Sequence, residues 1–226
     1  MTKCKSRHPG FSGVGLRRIE QIMENYVAEG KSAGMLTLVS RDGSTAQLSC
    51  RGYADIASAT PIREDTIFRI YSMTKPITSV ALMTLFEQGH FQLEDSAKHW
   101  IPALGKLEVY QQGRPDSDVT IRQLLTHTAG FSYGFEPETY PVDKLYAEIW
   151  RQRIQQQTLE QIMQTLLELP LFAQPGTLWR YSIATDICGY LVELISGMPF
   201  ADYLQQTIFD PLGMVDTAFE VSADKI

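Results

Sequence analysis

Residues 67–77 read Ile67-Phe68-Arg69-Ile70-Tyr71-Ser72-Met73-Thr74-Lys75-Pro76-Ile77. Two kinds of chain meet here. Ile67 to Ile70 is a short apolar run that reads as a strand. From Pro76 to Gln88 apolar residues fall on most faces at helical spacing, which predicts a buried helix. Ser72 and Lys75 stand at the junction, three residues apart, so a helix beginning there places both on one face with Cβ atoms about 5–6 Å apart. A neutral lysine in that position could take the proton of Ser72 Oγ. Burial against Pro76, Ile77 and Val80 is expected to favour the neutral form. The helix N-terminus would aim backbone N–H groups at an oxyanion forming beside Ser72. The same spacing also fits a serine that caps the helix and a lysine that reaches out to solvent. Ser222 and Lys225 repeat the spacing in a polar tail with no buried helix after it.

Toward the N-terminus, residues 1–14 are polar and read as a flexible arm. Leu16, Ile19, Ile22, Met23 and Val27 recur at helical spacing and predict a helix over Leu16–Ala28, ended by Gly30. Met35–Ser40 and Ala46–Cys50 read as two strands. Arg41-Asp42-Gly43-Ser44 between them carries a hairpin signal, because glycine accepts positive φ. Toward the C-terminus nearly every periodic segment is helical. Helices are expected over Val119–Thr126, in one or two pieces over Pro141–Leu171 around a Gln-rich middle, over Tyr181–Ile195 and over Phe200–Ile208. Pro175-Gly176 and Asp210-Pro211 punctuate them. The expected layout is an arm (1–14) and one incomplete domain (15–226), with a helix and strands over 15–75 and a mainly helical region over 76–226. Two or three strands do not make a self-sufficient sheet. We therefore expect a partner to complete the sheet, or the chain to be the N-terminal part of a longer protein. An uncovered sheet edge would also invite homo-oligomers.

Composition narrows the function. The 226 residues are 44% hydrophobic and 20% charged, enough for a real core, and the formal charge is -6. No basic surplus exists to neutralise phosphates, which argues against nucleic-acid binding. No stretch approaches about 20 apolar residues, so no membrane span is expected. Cys4, Cys50 and Cys188 are odd in number and scattered, and Met1–Gly15 lacks an apolar signal core. Both features point to a reducing, cytoplasmic location. HExxH, close histidine pairs, cysteine clusters and phosphate-binding glycine loops are all missing from the sequence, so neither a metal nor a cofactor is expected.

Two other segments carry chemistry-bearing residues. Gly130-Phe131-Ser132-Tyr133-Gly134 matches the GxSxG nucleophile elbow, but that motif needs a strand before it and a helix after it. Here a helix precedes it, Pro137 and Pro141 follow, and His8, His90, His99 and His127 all lie upstream. A glycine-rich turn closing a helix is the favoured reading. His127 sits at a helix end, where it can meet the dipole or a carbonyl. Tyr181, just before a helix that Ser182 can cap, could point a hydroxyl into a cleft, or simply pack.

Taken together these segments resemble the serine beta-lactamase-related hydrolases: class C beta-lactamases, low-molecular-weight penicillin-binding proteins and the family VIII carboxylesterases. The likeness rests on Phe68–Ile77, on Gly89–Ile101 with Leu93-Glu94-Asp95, and on Ile121–Gly130 (IRQLLTHTAG). It rests also on Phe172–Ser182 followed by Gly189-Tyr190, and on Ile208-Phe209-Asp210-Pro211-Leu212-Gly213-Met214 with Thr217. It spans roughly residues 15–220. It implies an α/β (α+β) beta-lactamase/transpeptidase-like fold, an antiparallel sheet flanked by helices plus a helical region, with the C-terminal strands missing. It also implies Ser72 as the acylated nucleophile, Lys75 as its activating partner, Tyr181 as general base or proton relay, and the Ser72 N–H as half of the oxyanion hole.

Two departures from the family pattern matter. Class C enzymes usually carry Asn two residues after the tyrosine, and Ile183 stands there, which disfavours beta-lactam turnover. The esterase branch often lacks that Asn, and Asp186 fits its habit. The family's third box, a Lys-Thr-Gly or a relative on a later strand, is absent from the sequence. The expectation is hydrolysis of short-chain carboxylic esters. The alternatives are a beta-lactamase or penicillin-binding peptidase acting on a lactam or peptide, and a truncated member that binds a ligand without turnover.

Overall fold

The computed structural model describes residues 10–151, 157–222 and 225. The chain divides into two compact units, residues 1–69 and 70–226.

The first unit is a helix on a small antiparallel sheet. Helix α1 (Gly13–Ala28) starts earlier than Leu16 because Ser12 Oγ accepts the N–H of Gly15 and caps it. Of the N-terminal arm, residues 1–9 lie outside the described residues. Strands β1 (Gly34–Arg41) and β2 (Ser44–Asp55) form the expected hairpin, with Arg41 opposite Ser44. Asp42 and Gly43 both have positive φ (50° and 72°), the conformation a two-residue hairpin turn demands. Helix α1 is fastened to β2 by polar contacts: Gln47 Nε2 donates to the Leu16 carbonyl (3.2 Å), and Ser49 Oγ donates to Glu20 (3.1 Å).

The third strand corrects the sequence reading. It is Thr60–Pro61 (β3), antiparallel to β2 in the order β1-β2-β3, and Ile67–Ile70 forms no strand. The cause is local. Asp55 accepts the N–H groups of Ala57 (3.0 Å) and Ser58 (3.1 Å) and turns the chain back at once, so the end of β2 pairs with the residues next in sequence.

The second unit is helical. A single 3₁₀ turn, Tyr71–Met73, leads into α2 (Thr74–Glu87). Then come α3 (Ile121–Leu125), α4 (Pro141–Arg151), α5 (Leu159–Leu166) and α6 (Ala184–Ser196). Last come α7 (Phe200–Leu204), a wider turn over Gln205–Phe209, and α8 (Asp210–Leu212). The Gln-rich middle read between α4 and α5 falls largely on residues 152–156, outside the described residues. Helices α2 and α6 pack along each other, and α3, α5 and α7 pack on α6. Leu82, Leu85, Leu124, Ile187 and Leu191 fill the space between them, each buried. Thr84 on α2 meets the Tyr203 hydroxyl on α7 at 2.8 Å. Thr120 and Thr158 close reciprocal capping boxes at the starts of α3 and α5 with Gln123 and Gln161. Helix α2 is less enclosed than its apolar sequence predicts: Val80 is 53% exposed, and Pro76 is exposed too. The expected burial of Lys75 by its own helix therefore fails, and its surroundings come from other elements.

Candidate active site

Ser72 sits in the 3₁₀ turn before α2, and Lys75 in the first turn of that helix. The residue before the serine, Tyr71, has φ 44°, a conformation non-glycine residues hold only when the surroundings impose it. Ser72 is not the cap of α2, because the capping position is Met73 and no side chain bonds there. The Ser72 hydroxyl instead meets Tyr181: Oγ and Oη are 2.8 Å apart across 109 residues of sequence. Lys75 Nζ lies over the Tyr181 ring, 4.8 Å from its centre, and 5.4 Å from the centre of the Tyr133 ring. The three residues named from the sequence thus converge, and the structure adds Tyr133.

Tyr181 is delivered by two strapped segments. Gly176 N–H donates to the Thr128 carbonyl (2.8 Å), Arg180 N–H to that of His127 (2.9 Å) and Ile183 N–H to that of Ser132 (3.2 Å). The straps require close approach. Gly130 has φ 88°, and a Cβ on it would stand 2.2 Å from the Ala173 carbonyl oxygen, so only glycine fits. Ser182 accepts the N–H of Ala184 (3.3 Å) on Oγ at the start of α6.

The electrostatics are organised around the phenol. Burial pushes the Tyr181 pKa up, but hydrogen bonding from Lys75 and Ser72 and the lysine charge outweigh it and hold the phenol below the ordinary tyrosine value. Asp186, on the first turn of α6, goes the other way: burial raises its carboxyl above the usual carboxylate range, and Lys75 opposes the rise. Its Oδ2 has no hydrogen-bond partner among the described residues. Tyr133 is pushed well up, by burial and then by Asp186 and Tyr181, and stays a phenol. Trp150 Nε1 donates to the Tyr133 carbonyl (3.2 Å), and the two rings stack at 5.4 Å.

Ser72, Lys75, Tyr133 and Asp186 line a cleft of about 590 Å³ whose remaining walls include Leu159 and Phe200. That size accommodates a small ligand. Ile183 is wholly buried (0% exposed) and offers the cleft no amide-binding group. Among the described residues no group of three or more His, Cys, Asp or Glu side chains could hold a metal ion.

Ser132 takes no part in the cleft. It is 1% exposed, its hydroxyl donates to Asp143 Oδ1 and accepts from Arg180 Nε (3.1 Å), and no helix follows it directly. Lys225, of the second serine–lysine spacing, pairs with Asp216. No local pattern in Gly130–Gly134 singles out Tyr133, whose place in the cleft comes from long-range contacts with Lys75 and Tyr181.

A serine hydroxyl touching a depressed phenol beside a lysine, at a helix start, makes this cleft the candidate site. The comparisons with known proteins give the chain's family. The model of the Beta-lactamase family matches residues 19–226, and the chain belongs to that family. Protein Rv1367c of Mycobacterium tuberculosis is 36% identical over 211 residues, covering 86% of this chain and 49% of that protein. Esterase EstB of Burkholderia gladioli is 32% identical over 208 residues, covering 92% of this chain and 52% of the esterase. Among solved structures, EstCE1, described as a hydrolase with promiscuous acyltransferase activity, superposes with a TM-score of 0.80 at 29% identity. That match covers 92% of this chain and 54% of EstCE1. The chain therefore spans about half the length of the relatives it matches, and its fold is that part of the beta-lactamase/transpeptidase-like fold. No described helix is long and apolar enough to cross a membrane.

Proposed function

We propose that the protein is a serine hydrolase that cleaves short-chain carboxylic esters through an acyl-enzyme on Ser72. The observation that carries this reading is the 2.8 Å contact between Ser72 Oγ and a Tyr181 phenol held below its ordinary pKa beside Lys75. Tyr181, as phenolate, takes the Ser72 proton while Oγ attacks the ester carbonyl. The Ser72 N–H, at the start of the helical segment, stabilises the oxyanion. The tetrahedral intermediate collapses, the C–O bond to the alcohol breaks, and Tyr181 returns the proton to the leaving alkoxide. Water then attacks the acyl-enzyme by the same proton route and frees the acid. Lys75 Nζ, 4.8 Å from the centre of the Tyr181 ring, stabilises the phenolate between steps.

The esterase reading is preferred to beta-lactam turnover because Ile183 is buried where a substrate amide would need a polar partner. The printed names of EstB and EstCE1 support the same class of chemistry. The test is the intact mass of the folded protein after exposure to a fluorophosphonate, with Ser72→Ala beside it. One adduct on the parent that vanishes in the variant supports an activated Ser72. A folded parent that takes no adduct defeats the reading and favours a ligand-binding role without turnover.

A further inference from the structure

His127 has a place in the site that its position at a helix end did not suggest. Its φ is 56°, a left-handed backbone that a residue with a Cβ keeps only when its surroundings fix it. Beyond its N–H bond to the Leu124 carbonyl (3.3 Å), its contacts include several that reach the Tyr181 segment. The His127 carbonyl accepts the N–H of Arg180 (2.9 Å). Its Nδ1 accepts the N–H of Ser182 (3.2 Å). Its ring stacks on the Tyr181 ring, centres 4.9 Å apart and planes at 26°. One residue thus grips the residue before the phenol, the phenol itself and the residue after it.

The tautomer follows from the contacts. A backbone N–H can only donate, so Nδ1 presents a lone pair, which the Ser182 hydroxyl also faces at 3.3 Å as a donor, and the ring proton sits on Nε2, which faces Thr185 Oγ1 at 3.5 Å. The charged and titratable groups around the ring are Lys75 from α2, Tyr181 from the strapped loop and, acting on both of these, Asp186 from α6. The Arg180 side chain is turned away onto Asp143 and Glu136. Burial, and then the Lys75 charge, hold the imidazole below its ordinary pKa, so it is neutral around pH 7.

We propose that His127 is a positioning residue for the Tyr181 phenol, holding its backbone and bracing its ring so that Oη stays within hydrogen-bond reach of Ser72. The inference rests on the reading of Ser72 and Tyr181 as nucleophile and base. Protonation of Nδ1 would set it against the Ser182 N–H, leave the Ser182 hydroxyl at 3.3 Å as its acceptor there, and add a cation beside Lys75, so the grip weakens in acid. The rate then depends on two ionisations, loss of a proton from Tyr181 and from His127.

The experiment uses the full-length protein, p-nitrophenyl butyrate and a pH series checked by circular dichroism. In the parent, the slope of log kcat/KM against pH should steepen from one toward two below the His127 pKa. His127→Asn keeps an acceptor and tolerates positive φ but lacks the ring, and His127→Phe keeps a ring but lacks the acceptor. Each should lower kcat by about 10- to 100-fold with KM within about threefold, the loss expected when a reacting group is misplaced by an ångström. Both should hold a slope of one. A parent whose slope stays at one throughout the acid range in which it remains folded overturns the proposal without any variant. Folded variants with parental kcat and parental slope overturn it as well. A parent that turns over ester without a Ser72 adduct, or takes no adduct at all, defeats the underlying reading instead, and the mass spectrum separates that failure from the other two.

Discussion

Ser72 and Ser132 each sit in a short motif associated with nucleophiles, and each has a hydroxyl bonded to ionisable partners. Ser72 is exposed in a cleft and meets a phenol whose pKa has been pulled down. Ser132 is sealed, 1% exposed, between the Asp143 carboxylate and the Arg180 guanidinium. Asp143 is itself wholly buried, and its second oxygen accepts from Arg180 (2.6 Å) and from the Glu136 N–H (3.0 Å). The Ser132 hydroxyl is engaged on both sides and sealed from solvent, so no substrate carbonyl can reach it. The contrast shows what separates a reactive serine from a structural one: access for an electrophile and a partner poised to take a proton, rather than the number of polar neighbours. The two clusters are joined by sequence, since Arg180 of one precedes Tyr181 of the other.

The largest effect separates the serines directly. Ser72→Ala should remove fluorophosphonate labelling and lower ester hydrolysis by at least about 10⁴-fold, in line with nucleophile deletions in other serine hydrolases. Tyr181→Phe comes next. It keeps the ring stacks and deletes the proton acceptor, so kcat/KM should fall about 10²- to 10⁴-fold. The sign of the pH dependence is fixed by the active form. The phenolate is the base, so parental activity is present above the Tyr181 pKa and lost as pH falls through it, with the midpoint below the ordinary tyrosine value because Lys75 and Ser72 favour the phenolate over the opposing burial. A pH–rate profile of Tyr181→Phe that keeps the parental limb would place the base elsewhere.

The hairpin and the serine–lysine pair were legible because their causes are local: turn residues that accept positive φ at Asp42 and Gly43, and a spacing of three across a helix start. The strand read over Ile67–Ile70 was wrong for a matching reason. An apolar run acquires a strand's hydrogen bonds only from a neighbour, and the tight Asp55 turn had already supplied Thr60–Pro61 to β2. The contact between Ser72 and Tyr181, 109 residues apart, carries no local signal. Family resemblance proposed that pairing, and the straps from His127 to Ser132 produce it. Lys75 shows the same limit. Its sequence neighbours Pro76 and Val80 are exposed, and its environment comes from Tyr133, Tyr181 and Asp186, which no spacing near residue 75 encodes.

The buried cluster yields the smaller effects, read on stability. Asp143→Ala leaves the Arg180 guanidinium, only 17% exposed, with the rim carboxylate of Glu136 at 3.3 Å as its remaining ion-pair partner among the described residues. Removing one member of a buried pair costs about 3–5 kcal/mol, and the exposed Glu136 contact returns little of it. Thermal or urea denaturation should show the loss. The Arg180 side chain, packed on Phe172 with its guanidinium carbon 3.8 Å from the ring centre, would then be free to shift and drag Tyr181 with it. Ser132→Ala is milder. The Asp143–Arg180 bond at 2.6 Å survives, and each partner loses one neutral hydroxyl contact, a change of about 1–2 kcal/mol. Fluorophosphonate labelling of the folded Ser132→Ala protein should equal that of the parent at every pH. A variant that folds with parental stability yet loses labelling, with the parent's adduct mapped by peptide mass to Ser132, would reverse the assignment of the two serines.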